Sequence, residues 1–404
     1  MKRLVVLTST FPRWRGDTDP PFVHELSKRL TSAFEVHVIA PRYPGAKAEE
    51  VMDGMHVHRF RYFLGPLERL AGATGILPTL RKNPLYAVLV PFFVAGEFLA
   101  LYRLVRRLRP AAIHAHWLIP QGWVAAWVSR LLEVPVLVTV HGGDVFGLRM
   151  RPAMAAKRMA VRRAAAVTAV SRAAGAAVTE LWPAASPAVV PMGVSAARFD
   201  GSGGGGVRER FGIRGPLLLF VGRLSEKKGV RYLLQAMPAV LDRFPDVRLL
   251  IVGGGEEEQA LKELSASLGL ADRVIFAGPL PNPELPPFYA AADIFVGPSI
   301  RARGGDTEGF GLTFVEAGLS GCILVGSDVG GIGDIIREGE TGFLVPEKDP
   351  EALAARLVSL LEDRRGWGRI AARTRRELAT RFDWGVVAAR YADILQKLSV
   401  TAAP

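Results

Sequence analysis

Two hydrophobic periods alternate along this chain. Short apolar runs rich in Val, Ile and Leu are each followed by a longer stretch with apolar positions at helical spacing. That alternation predicts a parallel α/β sheet. In the first half the runs are Leu4–Ser9, Glu35–Ala40, Met55–Arg61, Ala112–His116, Val136–Val140, Ala166–Ser171 and Ala188–Pro191. Gly201-Ser202-Gly203-Gly204-Gly205-Gly206 then reads as a flexible linker or loop. The pattern restarts with Leu217–Val221, Arg248–Val252, Val274–Ala277, Ile294–Val296, Ile323–Gly326 and Phe343–Val345. At 404 residues the chain exceeds one usual core, so the two series predict two doubly wound domains, residues 1–195 and 207–382. Ligands of such sheets sit at the carboxyl ends of the strands. The tail starts with Asp383 as an N-cap and repeats Val386, Val387, Tyr391, Ile394, Leu395 and Leu398 on one face, an amphipathic helix over 383–400.

The stretch from Leu85 to Leu108 is the most apolar. Pro91, Gly96 and Glu97 interrupt it, so the expectation is that no run reaches the ~18–20 clean residues of a membrane span. It ends in Arg103, Arg106, Arg107 and Arg109, which leaves two readings open: a helix lying on a membrane surface, or a core helix. Charge changes the picture. Residues 1–195 hold 25 Lys and Arg against 12 Asp and Glu, and residues 196–404 hold 26 against 27. The net charge of +12 therefore belongs to the first half, which suggests an anionic partner there: lipid headgroups or a lipid-diphosphate acceptor. Nucleic acid is not expected, because the basic residues between Arg151 and Arg163 spread around a helical pattern without interleaved aromatics. The single cysteine, Cys322, excludes an internal disulfide framework and reads as a small buried hydrophobe. Met1-Lys2-Arg3 leads directly into a strand with no signal peptide, so a cytoplasmic protein is expected, peripheral on the inner face of the cytoplasmic membrane if the surface reading holds.

The chemistry gathers at strand ends. Glu308-Gly309-Phe310-Gly311-Leu312 runs into a helix that carries Glu316, and Gly297-Pro298-Ser299 lies just upstream. A strand, an open glycine turn and a helix N-terminus form an anion site, since first-turn amides face outward and the dipole favours negative charge. Two carboxylates beside such a site suit sugar hydroxyls. Val221-Gly222-Arg223-Leu224-Ser225-Glu226-Lys227-Lys228-Gly229 ends another strand with cations fit for a diphosphate. His141-Gly142-Gly143-Asp144 ends a third, and Phe11-Pro12, Gly16 and Pro20-Pro21-Phe22-Val23 follow the first.

Together these segments resemble glycosyltransferase family 4, the retaining group 1 glycosyltransferases of the GT-B fold. The resemblance implies two Rossmann-like domains facing across a cleft, with the last helix crossing back to the first domain. It implies a metal-independent hexosyltransferase that uses a nucleoside-diphosphate sugar as co-substrate and needs no cofactor. The acceptor would be a hydroxyl, in a lipid-linked or cell-envelope glycan. Glu308, His141, Arg223 and Lys228 would be catalytic; Gly309, Phe310, Gly311, Leu312, Glu316 and Ser299 would hold the donor, Glu316 through its ribose. Gly16, Asp144, His116 and Trp117 would lie on the acceptor side. Three segments depart from the family pattern: Gly16-Asp17 where two glycines are common, Met192-Gly193-Val194-Ser195, and Gly330-Gly331-Ile332-Gly333-Asp334.

Several other motifs are weighed and set aside. Asp17-Thr18-Asp19 matches the Asp-x-Asp of metal-dependent transferases but has no neighbouring histidine. His114 and His116 fall on one face of a strand, short of the further ligands zinc needs. Gly201, Gly203 and Gly206 match a dinucleotide fingerprint without following a strand. The role of Arg301–Thr307 stays open. A catalytically degenerate scaffold protein of polysaccharide assembly is the competing functional class, and an epimerase on the same fold a third.

Overall fold

The computed structural model describes residues 1–17, 22–71 and 75–401. Thr18 and Asp19 of the Asp-x-Asp motif, and Pro20-Pro21 of the first loop, lie outside the described residues. The chain forms two compact units: Met1–Gly193 with the segment from Trp384 onward, and Val194–Asp383.

In the first unit the described strands are β1 (Lys2–Leu7), β2 (Phe34–Pro41), β3 (Glu49–Met52), β4 (Met55–Phe60), β5 (Ala112–His116), β6 (Val136–Val140), β7 (Ala166–Ala169) and β8 (Ala188–Val189), in the order β3-β4-β2-β1-β5-β6-β7-β8. Every pair is parallel except β3 with β4. Strands buried on both faces read as continuous apolar runs, which is why the sequence showed them. β3 is the strand the pattern missed: Glu49-Glu50-Val51-Met52 is short, acidic and at an edge. Its signal was the Asp53-Gly54 turn, with φ of 47° and 82°, the left-handed pair a two-residue hairpin requires. The Trp384–Thr401 helix belongs to this unit, where Tyr391 donates to the Val190 carbonyl at 3.0 Å and Trp384 packs on Gly193.

In the second unit β9 (Leu217–Val221), β10 (Arg248–Val252), β11 (Val274–Gly278), β12 (Ile294–Gly297), β13 (Ile323–Ser327) and β14 (Phe343–Val345) form a parallel sheet ordered β11-β10-β9-β12-β13-β14. The glycine run is a correction to the linker reading. The division falls between Gly193 and Val194, and Gly204–Arg210 is a helix inside the second unit. A Cβ on Gly204 would lie 2.6 Å from the backbone of Ala290, so that glycine serves close packing. Cys322 is buried, as expected, with its thiol 3.1 Å from the Tyr289 carbonyl.

The apolar segment also departs from expectation. Pro84–Leu108 is one helical stretch long and apolar enough, by length and composition, to cross a membrane. The supposed interruptions do not break it. Pro91 lies in the first turn of the Val90–Leu108 helix, where no N–H is needed. Gly96 lets the helix approach the Arg61 carbonyl. Glu97 turns inward, fully buried, and accepts from Gln121 Nε2 at 2.9 Å. Phe93, Leu101, Leu104 and Val105 join it on the buried side, and Leu85, Val88, Phe92 and Leu99 stay exposed.

Burial pushes the Glu97 carboxyl up to about 8, against the opposing effect of Gln121. A folded pKa raised above the unfolded value gives stability present below ordinary carboxyl pKa values and lost as pH rises through the folded one. We expect the thermal midpoint to fall as pH rises from about 5 to about 8 and to level off above, and Glu97→Gln to flatten that slope. Superimposable melting curves for the two proteins across this range would refute the protonated carboxyl.

Candidate active site

Each sheet reverses strand order at one place, and the loops diverging there leave a crevice. In the second unit the reversal lies between β9 and β12. After β9 the backbone turns through Gly222, which lies so close to Gly253 at the end of β10 that a Cβ on Gly253 would lie 1.8 Å from the Gly222 carbonyl oxygen. The chain then forms a 3₁₀ turn, Glu226–Lys228, and the Lys228 ammonium reaches Glu308 Oε2 at 2.5 Å. Gly229, with φ of 64°, seats this turn against the Pro298 carbonyl beyond β12, where no side chain fits.

Glu308 is buried. Desolvation alone would raise its pKa, but Lys228 and Lys227, with a hydrogen bond from Ser299, outweigh it and hold the carboxylate below its ordinary range. Glu308 is therefore ionised and paired. Its carbonyl accepts from Gly331 at 3.0 Å, and Gly330 lies so near that carbonyl that a Cβ would come within 2.1 Å. The departing Gly330-Gly331 segment thus supports the Glu308 backbone. Gly311, at φ 98°, opens the Leu312–Ser320 helix without a side-chain cap, which leaves its first turn suited to an anion. Phe310 is buried edge-on against Phe382, so it braces the turn through its side chain.

Two predicted residues stand differently, and the loop whose role stayed open has a place. Arg223 points to Glu256 at 3.4 Å, both about half-exposed, and does not join Lys228. Such a surface pair is worth only ~0–1 kcal/mol, so the guanidinium exchanges partners at little cost. Glu316 does not meet Glu308. It accepts from the buried Tyr289 hydroxyl at 2.6 Å, and burial raises it to about 7 against the effects of Tyr289, Arg198 and Asn282. The Arg301–Thr307 loop is anchored: Arg301 N–H donates to Glu347, Arg303 N–H to Glu226, and Lys227 pairs with Asp306. Tyr289, Asn282 and Arg198 were not singled out from sequence, because nothing local marks them.

In the first unit the reversal lies at β1 and β5. His141 follows β6, and its Nε2 lies 3.0 Å from His116 Nδ1 at the end of β5. Phe22 and Trp117 enclose the ring, with centroids 5.0 and 4.8 Å away. His116 is fully buried behind His141, so it lines no open wall. Burial takes His141 down to about 3, with His114 adding to it; the ring is a neutral hydrogen-bonding group, not an acid. His114 bonds Thr139 at 2.7 Å and stacks on Tyr391, which occupies the supposed zinc pair structurally. Asp144 is a fastener: one oxygen accepts from Leu118 N–H at 2.8 Å, the other from His141 N–H at 3.0 Å, tying two strand-end loops together. Gly16 is exposed, with φ of 84° and no atom near a would-be Cβ. Asp17 is clamped by the Arg13 guanidinium at 2.7 and 2.8 Å.

A cation-backed carboxylate at the switch point of one unit and, in the other, a neutral histidine one strand from its switch point fit a sugar-transferring enzyme of two α/β units. Residues 208–379 match the family model described as glycosyl transferases group 1, and residues 21–198 that described as glycosyltransferase family 4. A GDP-mannose-dependent alpha-(1-6)-phosphatidylinositol monomannoside mannosyltransferase of Mycolicibacterium smegmatis is 32% identical over 370 residues, 90% of each chain. A glycogen synthase of Mycobacterium tuberculosis is 30% identical over 379 residues, 89% of this chain and 86% of its own. Sucrose-phosphate synthase from Thermosynechococcus elongatus shares the fold, with a TM-score of 0.77 at 22% identity over 99% of this chain and 100% of that one. The chain belongs to the family 4, group 1 glycosyltransferases and has the GT-B fold.

Glu308→Gln and Lys228→Ala are each expected to lower turnover at least ~10²-fold, the scale of one preorganised electrostatic contact, with the circular dichroism spectrum unchanged. Near wild-type turnover in both would remove the site assignment.

Proposed function

We propose that the chain is a retaining, metal-independent transferase that moves a sugar from a nucleoside-diphosphate sugar to a hydroxyl of a lipid-linked or cell-envelope glycan. The Lys228–Glu308 pair carries the reading: a buried carboxylate kept ionised by a cation, beside an uncapped helix N-terminus at the β9/β12 switch point. The diphosphate would take up the Lys228 ammonium and the helix amides, with Arg223 turning from Glu256 to join them. Glu308 would orient the sugar hydroxyls, and Glu316 the ribose. The bond from the anomeric carbon to the diphosphate oxygen breaks, the acceptor oxygen bonds to that carbon on the same face, and the departing diphosphate takes the acceptor proton. Neutral His141 would donate or accept at the sugar without changing its own charge. The lipid-linked acceptor is supported by the mycobacterial relative, named for transfer to phosphatidylinositol monomannoside, and by the basic first half of this chain. The direct test is product formation over a panel of UDP-, GDP-, ADP- and dTDP-sugars with glycolipid acceptors, the anomeric configuration read by NMR. An inverted product would overturn retention, and donors left intact in every combination would favour the degenerate scaffold.

The positive field of Lys228, Arg223 and the Leu312–Ser320 helix takes the part a metal plays elsewhere. Turnover is expected to survive EDTA. A loss restored by magnesium would sink this and return attention to Asp17 and Asp19.

The Pro84–Leu108 helix is the proposed membrane contact, at the inner face of the cytoplasmic membrane. Leu85 and Val88 are 81% and 66% exposed, Phe92 and Leu99 nearly half, and four arginines follow. Its inward side holds Glu97 and the core, which suits lying on a surface more than crossing it. At ~1 kcal/mol per basic residue, binding to anionic liposomes is expected to be measurable and salt-sensitive. Replacing Arg103, Arg106, Arg107 and Arg109 by Ser is expected to weaken it. Equal cosedimentation with neutral and anionic vesicles would point to a soluble acceptor.

A further inference from the structure

A second cluster of titratable groups lies outside the candidate active site, at the β3-β4-β2 edge of the first unit. Parallel pairing sets His37 opposite His56 and Ile39 opposite His58, and antiparallel pairing sets Glu49 opposite His58. Alternation along the strands then puts Glu35, His37, His56, His58 and Glu49 on one face. Their polar atoms form a chain. Glu35 Oε1 lies 3.1 Å from His37 Nε2, His37 Nδ1 lies 3.2 Å from His58 Nε2, and His58 Nδ1 lies 3.3 Å from Glu49 Oε1. Arg3 holds the other oxygen of Glu35 at 3.2 Å.

The chain has three contacts and too few protons. Each contact joins two lone-pair atoms and needs one positive centre between them. Two neutral imidazoles supply two N–H groups. The remaining contact needs a third proton, which makes an imidazolium, or a metal ion. The His37 side chain is only 7% exposed, and the His56 ring stacks on it with centroids 4.7 Å apart.

We propose that Glu35 Oε1, His37 Nε2 and a ring nitrogen of His56, whose exposed ring turns off its stack on His37 to aim a lone pair, bind one divalent transition-metal ion of the zinc class. Ligand atoms of these three residues all lie within 4.8 Å of one another. The 3.1 Å between Glu35 Oε1 and His37 Nε2 is close to the ~3.3 Å that separates ligands around a tetrahedral ion with bonds of about 2.0–2.1 Å. The rest of the chain then has one consistent direction. His37 donates through Nδ1 to His58, and His58 donates through Nδ1 to Glu49. A ligating histidine whose other nitrogen is fixed by a partner in this way is the usual arrangement of a metal site. Water completes the coordination on the exposed His56 side.

The cluster occupies the amino-terminal half of β2 and β4, away from the carboxyl ends that carry the candidate active site. The metal is therefore a clip on the sheet edge and not a catalyst, so turnover is still expected to survive EDTA.

The test uses the untagged full chain, stripped with a chelator and dialysed. Calorimetric titration with zinc chloride is expected to give one ion per chain, and zinc is expected to raise the thermal midpoint with no change in turnover. Cobalt(II) is expected to show the visible absorption of a tetrahedral site. His56→Ala and Glu35→Gln alter exposed or half-exposed side chains and are expected to fold, to weaken binding at least tenfold and to abolish the thermal shift. Absence of zinc binding in the parent chain would overturn the proposal. So would unchanged affinity in both variants, or nitrogen chemical shifts showing an imidazolium at His37 or His58 with zinc present.

Discussion

A carboxylate taken out of water needs a partner, and the candidate active site is built on how this chain meets that need. Desolvation raises the free energy of the charged form by several kcal/mol unless cations or N–H groups replace the lost hydration. Four buried carboxyl groups receive four different answers. Glu308 has an ammonium and stays ionised. Asp144 has two backbone amides and becomes a tie between loops. Glu316 has a tyrosine hydroxyl and moves to about 7. Glu97 has one amide and moves to about 8. The partner decides whether a carboxyl is a charge, a fastener or a neutral donor.

Backbone packing makes the first of these answers available. Lys228 reaches Glu308 because Gly229 lets its turn lie against the Pro298 carbonyl, and Glu308 keeps its place because Gly330 lies beneath its own carbonyl. Both glycines have left-handed φ as well as no room for a side chain. The two acidic and basic side chains that matter are 80 positions apart in the chain, joined through β9 and β12, neighbours in the sheet. The first unit uses the same device at β5 and β6, where Asp144 fixes the loop after one strand to the loop after the next and His116 backs His141.

Much of this was legible in the sequence. Strands buried on both faces leave runs of Val, Ile and Leu, and thirteen runs read that way are strands; the acidic edge strand Glu49–Met52 escaped because it buries only one residue and announces itself through the Asp53-Gly54 turn alone. Motif residues at strand ends were legible for the same reason, since a strand end followed by glycine and a polar side chain is a local pattern. The amphipathic tail was visible as a helix, because its period is local too.

What only the tertiary structure decided is pairing, and with it charge. The sequence grouped Arg223 with Lys228 and Glu308 with Glu316, by proximity along the chain. The folded chain instead joins Lys228 to Glu308, Glu316 to Tyr289 and Arg223 to Glu256. It also turned Glu97, apparently a break in an apolar run, into the buried centre of a continuous helix, and took glycines 204–206 out of the linker and into a helix, with Gly204 packed against Ala290. Periodicity and propensity are properties of neighbours in sequence. Desolvation and partner choice depend on which strands lie side by side, and local spacing does not encode that.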